Sequence, residues 1–137
     1  MSEQNKNGYL LLFRGNEWYQ ELSHHEIQKV IDQSKAWFEH LSTQGKVKGG
    51  QVLARQGAIV SGKNGRLISD GPFAESKEVI GGYLLLEVET LEEAIAIAKT
   101  SPSLAYGTSI EVRPVGDECP LDAWARQLAM EERRNAA

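Results

Sequence analysis

Asp70 heads the stretch Asp70-Gly71-Pro72-Phe73-Ala74-Glu75-Ser76-Lys77-Glu78 and ends a strand-like run, which makes it the side chain best placed for proton transfer. A loop at that point holds a carboxylate at a cleft mouth, and an aromatic neighbour such as Phe73 would desolvate it and raise its pKa toward the acid–base range. The competing reading is structural: an aspartate before Gly-Pro accepts hydrogen bonds from the turn amides, and Phe73 plugs the core. Arg113, on the polar side of a late strand, suits a bidentate grip on a carboxylate or phosphate, unless it pairs with Glu111, Asp70 or Glu75. His40 falls between Phe38 and Leu41 near a helix end, where a cationic ring favours the dipole; position 44 is Gln, so no second metal ligand lies at i+4. His24 and His25 fit exposed first-turn residues better than metal ligands, and Cys119 before Pro120 has no local base to make it a nucleophile. The candidate set is therefore Asp70 as catalytic residue and Phe73, Arg113, Glu111 and His40 as ligand-binding residues, with no metal and no cofactor required.

One stretch imitates another chemistry. Gly57-Ala58-Ile59-Val60-Ser61-Gly62-Lys63-Asn64 approaches the phosphate-cradling G-x-x-x-x-G-K-[ST] loop, but Asn64 replaces the magnesium-binding hydroxyl and no helix follows. The continuation Gly65-Arg66-Leu67-Ile68 reads as the second arm of a hairpin turning at Asn64-Gly65, which excludes nucleotide hydrolysis by that route.

The elements that must position these residues follow from the apolar periodicity. Tyr9-Leu10-Leu11-Leu12-Phe13 is a short buried strand. Ser23-His24-His25-Glu26 has the form of a capping box, and Ile27, Val30, Ile31, Ser34, Trp37, Phe38 and Leu41 follow at steps of three and four until Gly45, a glycine suited to a helix C-terminus. Residues 46–55 form a strand with a bend, residues 58–68 the hairpin, and Tyr83–Val88 another strand. A second capping box at Thr90-Leu91-Glu92-Glu93 opens a short helix that Ser101-Pro102 stops. Thr108–Val115 is the last strand, alternating Ile110 and Val112 with Glu111 and Arg113. The order β-α-β-(hairpin)-β-α-β predicts an α+β, ferredoxin-like sandwich, here residues 1–115. Residues 116–137 form an appended C-terminal helical extension carrying Leu121, Trp124 and Leu128, whose stripe is expected to dock on this subunit or across a dimer.

The Asp70–Glu78 stretch, followed by Gly81-Gly82-Tyr83, resembles the signature of the DGPF proteins, a branch of the YCII-related family. So do Gly45 to Gly50 and Ser109-Ile110-Glu111-Val112-Arg113-Pro114-Val115, so that the resemblance spans about Tyr9 to Val115. It implies a dimeric α+β barrel in which two ferredoxin-like units pack sheet to sheet. Some DGPF proteins accompany or are fused to alternative sigma factors, and the wider family includes enzymes using a His and Asp pair, the His on the first helix. Counting back from Gly45, that position falls near Ser34, whereas the helix's interior histidine is His40. Residues 103–108 likewise offer no His where some members carry one.

The chain's 137 residues amount to about one domain, and the 41% hydrophobic and 25% charged content is that of a globular protein able to bury a core. A single cysteine excludes an internal disulfide and any cysteine-based zinc cluster, and MSEQNKNG lacks the apolar segment of a signal peptide. A cytoplasmic location is the expectation. No run approaches a membrane span, and the net charge of -4 disfavours nucleic acid as a partner. Between His40 and Ser69, however, stand Lys46, Lys48, Arg55, Lys63 and Arg66 with no Asp or Glu. This basic island either protects a sheet edge or attracts an anion. The reading is a cytoplasmic homodimer that binds a small anionic ligand in a cleft bordered by Asp70–Phe73 and the last strand, with acid–base catalysis by Asp70. The alternative is a non-catalytic interaction module bound to a regulatory protein partner in transcription.

Overall fold

Two reciprocal hydrogen bonds start the longest helix, and one glycine ends it. In the computed structural model, which describes residues 6–15, 17–63, 66–70 and 79–136, helix α1 spans His24–Thr43. The Ser23 hydroxyl accepts from the Glu26 N–H at 3.2 Å while Glu26 Oε1 accepts from the Ser23 N–H at 3.0 Å, the capping box expected from the sequence. Gly45 takes φ 71°; its N–H bonds to the Ser42 carbonyl and the Lys46 N–H to the Leu41 carbonyl, each at 3.0 Å. A glycine here satisfies the last carbonyls at no steric cost.

Strands β1 (Tyr9–Gly15) and β2 (Val47–Val52) flank α1, and β3 (Ile59–Lys63) and β4 (Arg66–Asp70) pair with each other as a separate two-stranded sheet. Strand β5 (Val79–Leu86), helix α2 (Leu91–Ala98), strand β6 (Ser109–Pro114) and helix α3 (Pro120–Ala136) complete the order. The main sheet is antiparallel throughout, ordered β2-β5-β1-β6, the ferredoxin-like arrangement. Alternation along each strand sorts the side chains. Tyr9 and Leu11 of β1 and Leu84 and Leu86 of β5 turn toward the helices and are almost completely buried with Leu41, Ala94, Ile97 and Ala98. Leu10, Leu12, Tyr83 and Leu85 lie on the opposite face, in register as Leu10↔Leu85 and Leu12↔Tyr83.

Three local expectations change. Strand β5 starts at Val79, not Tyr83, because Gly81 and Gly82 continue it: Gly82 pairs with both Phe13 and Val52, and glycines carry no strand signal in the sequence. The second capping box is half formed. Thr90 Oγ1 accepts from the Glu93 N–H at 3.2 Å, but the Glu93 carboxylate lies 3.5 Å from Lys46 Nζ and ties α2 to the start of β2. Helix α3 runs on to Ala136, and its stripe is not docked on its own chain: Leu121 is 76% and Trp124 55% exposed. Among the described residues no helix is long and apolar enough to cross a membrane.

Candidate functional site

Trp37 sits three residues after Ser34 on α1, and both turn toward the sheet. The Trp37 indole N–H donates to Thr100 Oγ1 at 2.7 Å, whose own hydroxyl donates to the Ile97 carbonyl at 2.6 Å. The Phe13 ring meets Trp37 edge to face, centroids 6.3 Å apart. Across from them the sheet is thin, since Gly50, Gly81 and Gly82 present no side chains. A methyl group added at Gly50 would lie 2.6 Å from the Tyr83 carbonyl oxygen. The space left between α1 and this glycine-rich edge is a cavity of about 450 Å³, lined also by Tyr83, Ser101 and Ser103.

Two further cavities adjoin it around the 3₁₀ turn Trp18–Glu21. One, of about 290 Å³, is lined by Arg14, Glu17, Trp18, Arg55 and Thr108. Trp18 is held there by stacking on Tyr106, centroids 5.9 Å apart and planes at 27°. The other, of about 500 Å³, is a largely apolar groove between Tyr19 and Leu22 of the turn and Ile27, Val30 and Ile31 of α1. Ser103 lines all three. Its hydroxyl accepts from Thr108 Oγ1 at 2.9 Å and lies 3.2 Å from that of the buried Ser101, a short relay of hydroxyls where the cavities meet. Among the described residues, the ionisable ones lining them are Arg14, Glu17, Tyr19, Lys35, Arg55 and Tyr83, although strand alternation turns the Tyr83 ring to the other face of the sheet. Arg55 Nη2 pairs with Glu17 Oε1 at 2.6 Å, and Arg14 Nη1 with Glu111 Oε1 at 2.7 Å. Each guanidinium at this end is thus paired with a carboxylate, Glu17 in the wall and Glu111 beside it. Aromatic walls, two forked cations and a hydroxyl relay suit the binding of an anion with an apolar body.

The structure brings two of the sequence candidates together. Glu111 bridges Arg14 and Arg113, with its Oε2 3.6 Å from Arg113 Nε, on the open side of the sheet. Neither Glu111 nor Arg113 lines the three cavities. His40 is exposed in the last turn of α1 and lines none of them either. The Asp70 backbone closes β4 opposite Ile59; Phe73 lies outside the described residues, as does the rest of the signature through Glu78. Sequence reasoning reached Arg55 only as a member of the basic island and missed Arg14, Trp18, Ser101 and Ser103. Besides that island, the signal was positional, the count back from Gly45 to Ser34, which does line the cleft.

Comparison with known proteins adds a family and one partial relative. The sequence model of the YCII-related domain matches residues 9–117. An uncharacterised protein of Rhizobium meliloti (strain 1021) is 40% identical over 50 residues, 36% of this chain and 40% of that protein, so the chain spans well under two thirds of that relative's length.

Proposed function

The chain belongs to the YCII-related family, and from that premise we propose that it acts as a homodimer binding a small anionic molecule with an apolar body in the cleft centred on Ser103. The observation that carries this reading is the meeting of three cavities at one residue, with Arg14 and Arg55 at one end and Trp18, Trp37 and Phe13 as walls. Arg55 and Arg14 are each held in place by a carboxylate, Glu17 and Glu111, with Arg113 also on Glu111, so three guanidinium groups stand against two carboxylates and the balance favours an anion, while the aromatic surface supplies the contact area. The ligand's acidic group sits against Arg55, its body against Trp18 and Phe13. Asp70 is the acid–base group of this proposal, on the chemistry of a carboxylate at a strand end.

Benzoate and its uncharged analogue benzyl alcohol test the binding. Benzoate is expected to raise the melting temperature in a concentration-dependent way and to perturb tryptophan fluorescence, whereas benzyl alcohol does neither. Arg55→Ala should abolish the benzoate shift. Equal shifts from both probes would remove the anion preference, and no shift from either would remove the reading of the cleft as a site for a small anion with an apolar body. Asp70→Asn should leave the benzoate shift and the melting temperature unchanged while abolishing any turnover; a loss of about 0.5–2 kcal/mol of stability would assign Asp70 to the turn instead, by analogy with lost caps.

A further inference from the structure

Helix α3 is set firmly in place and then left uncovered. Arg126 grips Glu118 with both terminal nitrogens, at 2.7 and 2.8 Å. Asn7 Nδ2 donates to Asp117 Oδ1 at 2.6 Å and to the Gly116 carbonyl at 3.3 Å, and the Val115 N–H bonds to the Gly8 carbonyl at 3.0 Å. The direction in which the helix leaves the edge of the sheet is therefore fixed. Yet Leu121, Trp124 and Leu128, at i, i+3 and i+7, are 76, 55 and 41% exposed. The next turn of the same face carries Glu131 and Glu132, so the stripe is apolar first and acidic after. A helix this short gains little stability unless such a stripe is covered.

The same chain carries the converse surface. The groove between the 3₁₀ turn and α1 is apolar, with the cationic Lys35 in its wall. Tyr19 and Ile31 of that groove are 38 and 40% exposed, so α3 does not fill it within its own chain. We infer that α3 is an exchanged arm: its Leu121–Trp124–Leu128 stripe seats in the groove of a second copy, with Glu131 and Glu132 toward the Lys35 end of that groove. Two features select a second copy as occupant. The apolar and charged halves of the two surfaces complement each other on one sequence, which a two-fold dimer uses twice. A stable interface also needs roughly 800 Å² from each partner, and an arm and a groove from each subunit add to what the open sheet face contributes. Because the groove adjoins the cleft at Ser103 and Ser34, the arm of one subunit would wall the ligand site of the other. The inference rests on the homodimer reading above.

Two variants test it, both with Cys119→Ser: one adds Ala125→Cys beside the stripe, the other Lys35→Cys at the groove. Mixed and treated with a short bis-maleimide, they are expected to give a covalent pair of one chain of each kind, and Trp124→Ala in the first variant should reduce its yield several-fold. A single chain carrying both cysteines should likewise link to a second chain. If that chain instead closes on itself as a cross-linked monomer, the arm is overturned. Absence of any cross-link while light scattering still reports a dimer overturns the arm and leaves the dimer standing; a monomer at micromolar concentration overturns both.

Discussion

Gly50 shapes the cleft by what it lacks. Its β2 backbone runs so close to β5 that an added methyl would meet the Tyr83 carbonyl oxygen at 2.6 Å and Leu84 Cδ1 and Cα at 3.0 and 3.1 Å. The carbonyl and Cα are backbone atoms, so β2 itself would have to shift. Gly50→Ala is therefore expected to cost about 1–3 kcal/mol, as overpacking does, and to weaken benzoate binding, measured by urea unfolding and thermal shift together. Trp37 makes a different kind of contribution, since its ring packs on Phe13 while its N–H serves Thr100. Trp37→Phe keeps an aromatic ring and deletes one donor; the Thr100 hydroxyl still donates to Ile97. The expected loss is about 0.5–1.5 kcal/mol, the net worth of one hydrogen bond, seen as a lower urea midpoint at unchanged slope.

The caps at the ends of the elements were the most legible feature of the sequence, because each rests on a local pairing that needs no tertiary context. Ser23 and Glu26 form both bonds of their box, and Gly45 closes α1. The Ser23 backbone N–H, helped by the Ser23 hydroxyl, holds the Glu26 carboxyl below a glutamate's ordinary 4.5. A carboxyl whose pKa is depressed on folding adds stability above its unfolded pKa, and that contribution is lost as pH falls through the folded value. Wild type should therefore melt above Glu26→Gln at neutral pH, with the difference closing as the pH is lowered below about 4.5, the unfolded value; a constant difference would mean that the charge plays no part. The cleft was far less legible. Arg14 faces Glu111 only because β1 pairs with β6, and Ser103 meets Ser34 only because the 3₁₀ turn Pro102–Tyr106 packs against α1. Contacts of that range leave no periodicity in a sequence, whereas Ser34 could be reached by counting because it shares a helix with its glycine cap. The glycines of β5 hid the start of that strand for the opposite reason, having no side chain to alternate.

At the scale of the whole molecule, the helices α1 and α2 cover one face of the sheet, and Leu10, Leu12, Tyr83 and Leu85 are left on the other. This apolar centre is bordered by the Arg14–Glu111–Arg113 chain of ion pairs, the pattern of apolar core and polar rim that the proposed dimer would use. An antiparallel sheet can leave one face to water, but an apolar centre on that face gains from burial, and in the proposed dimer a second copy related by a two-fold axis would present the same face in return. Light scattering is thus expected to give twice the chain mass at micromolar concentration, with a melting temperature that rises with protein concentration. Leu12 is the informative position, because it pairs with Tyr83 on one side and Glu111 on the other and points away from the helix-covered core. In the proposed dimer Leu12→Asp would place an unpaired carboxylate in the interface twice over, each costing several kcal/mol to desolvate, while removing only half-buried apolar surface from the isolated chain. The variant should therefore be a monomer whose far-UV circular dichroism matches wild type and whose melting temperature no longer depends on concentration. A variant that stays dimeric would show that the subunits meet elsewhere, and one that loses its circular dichroism would show that Leu12 belongs to the core of the single chain.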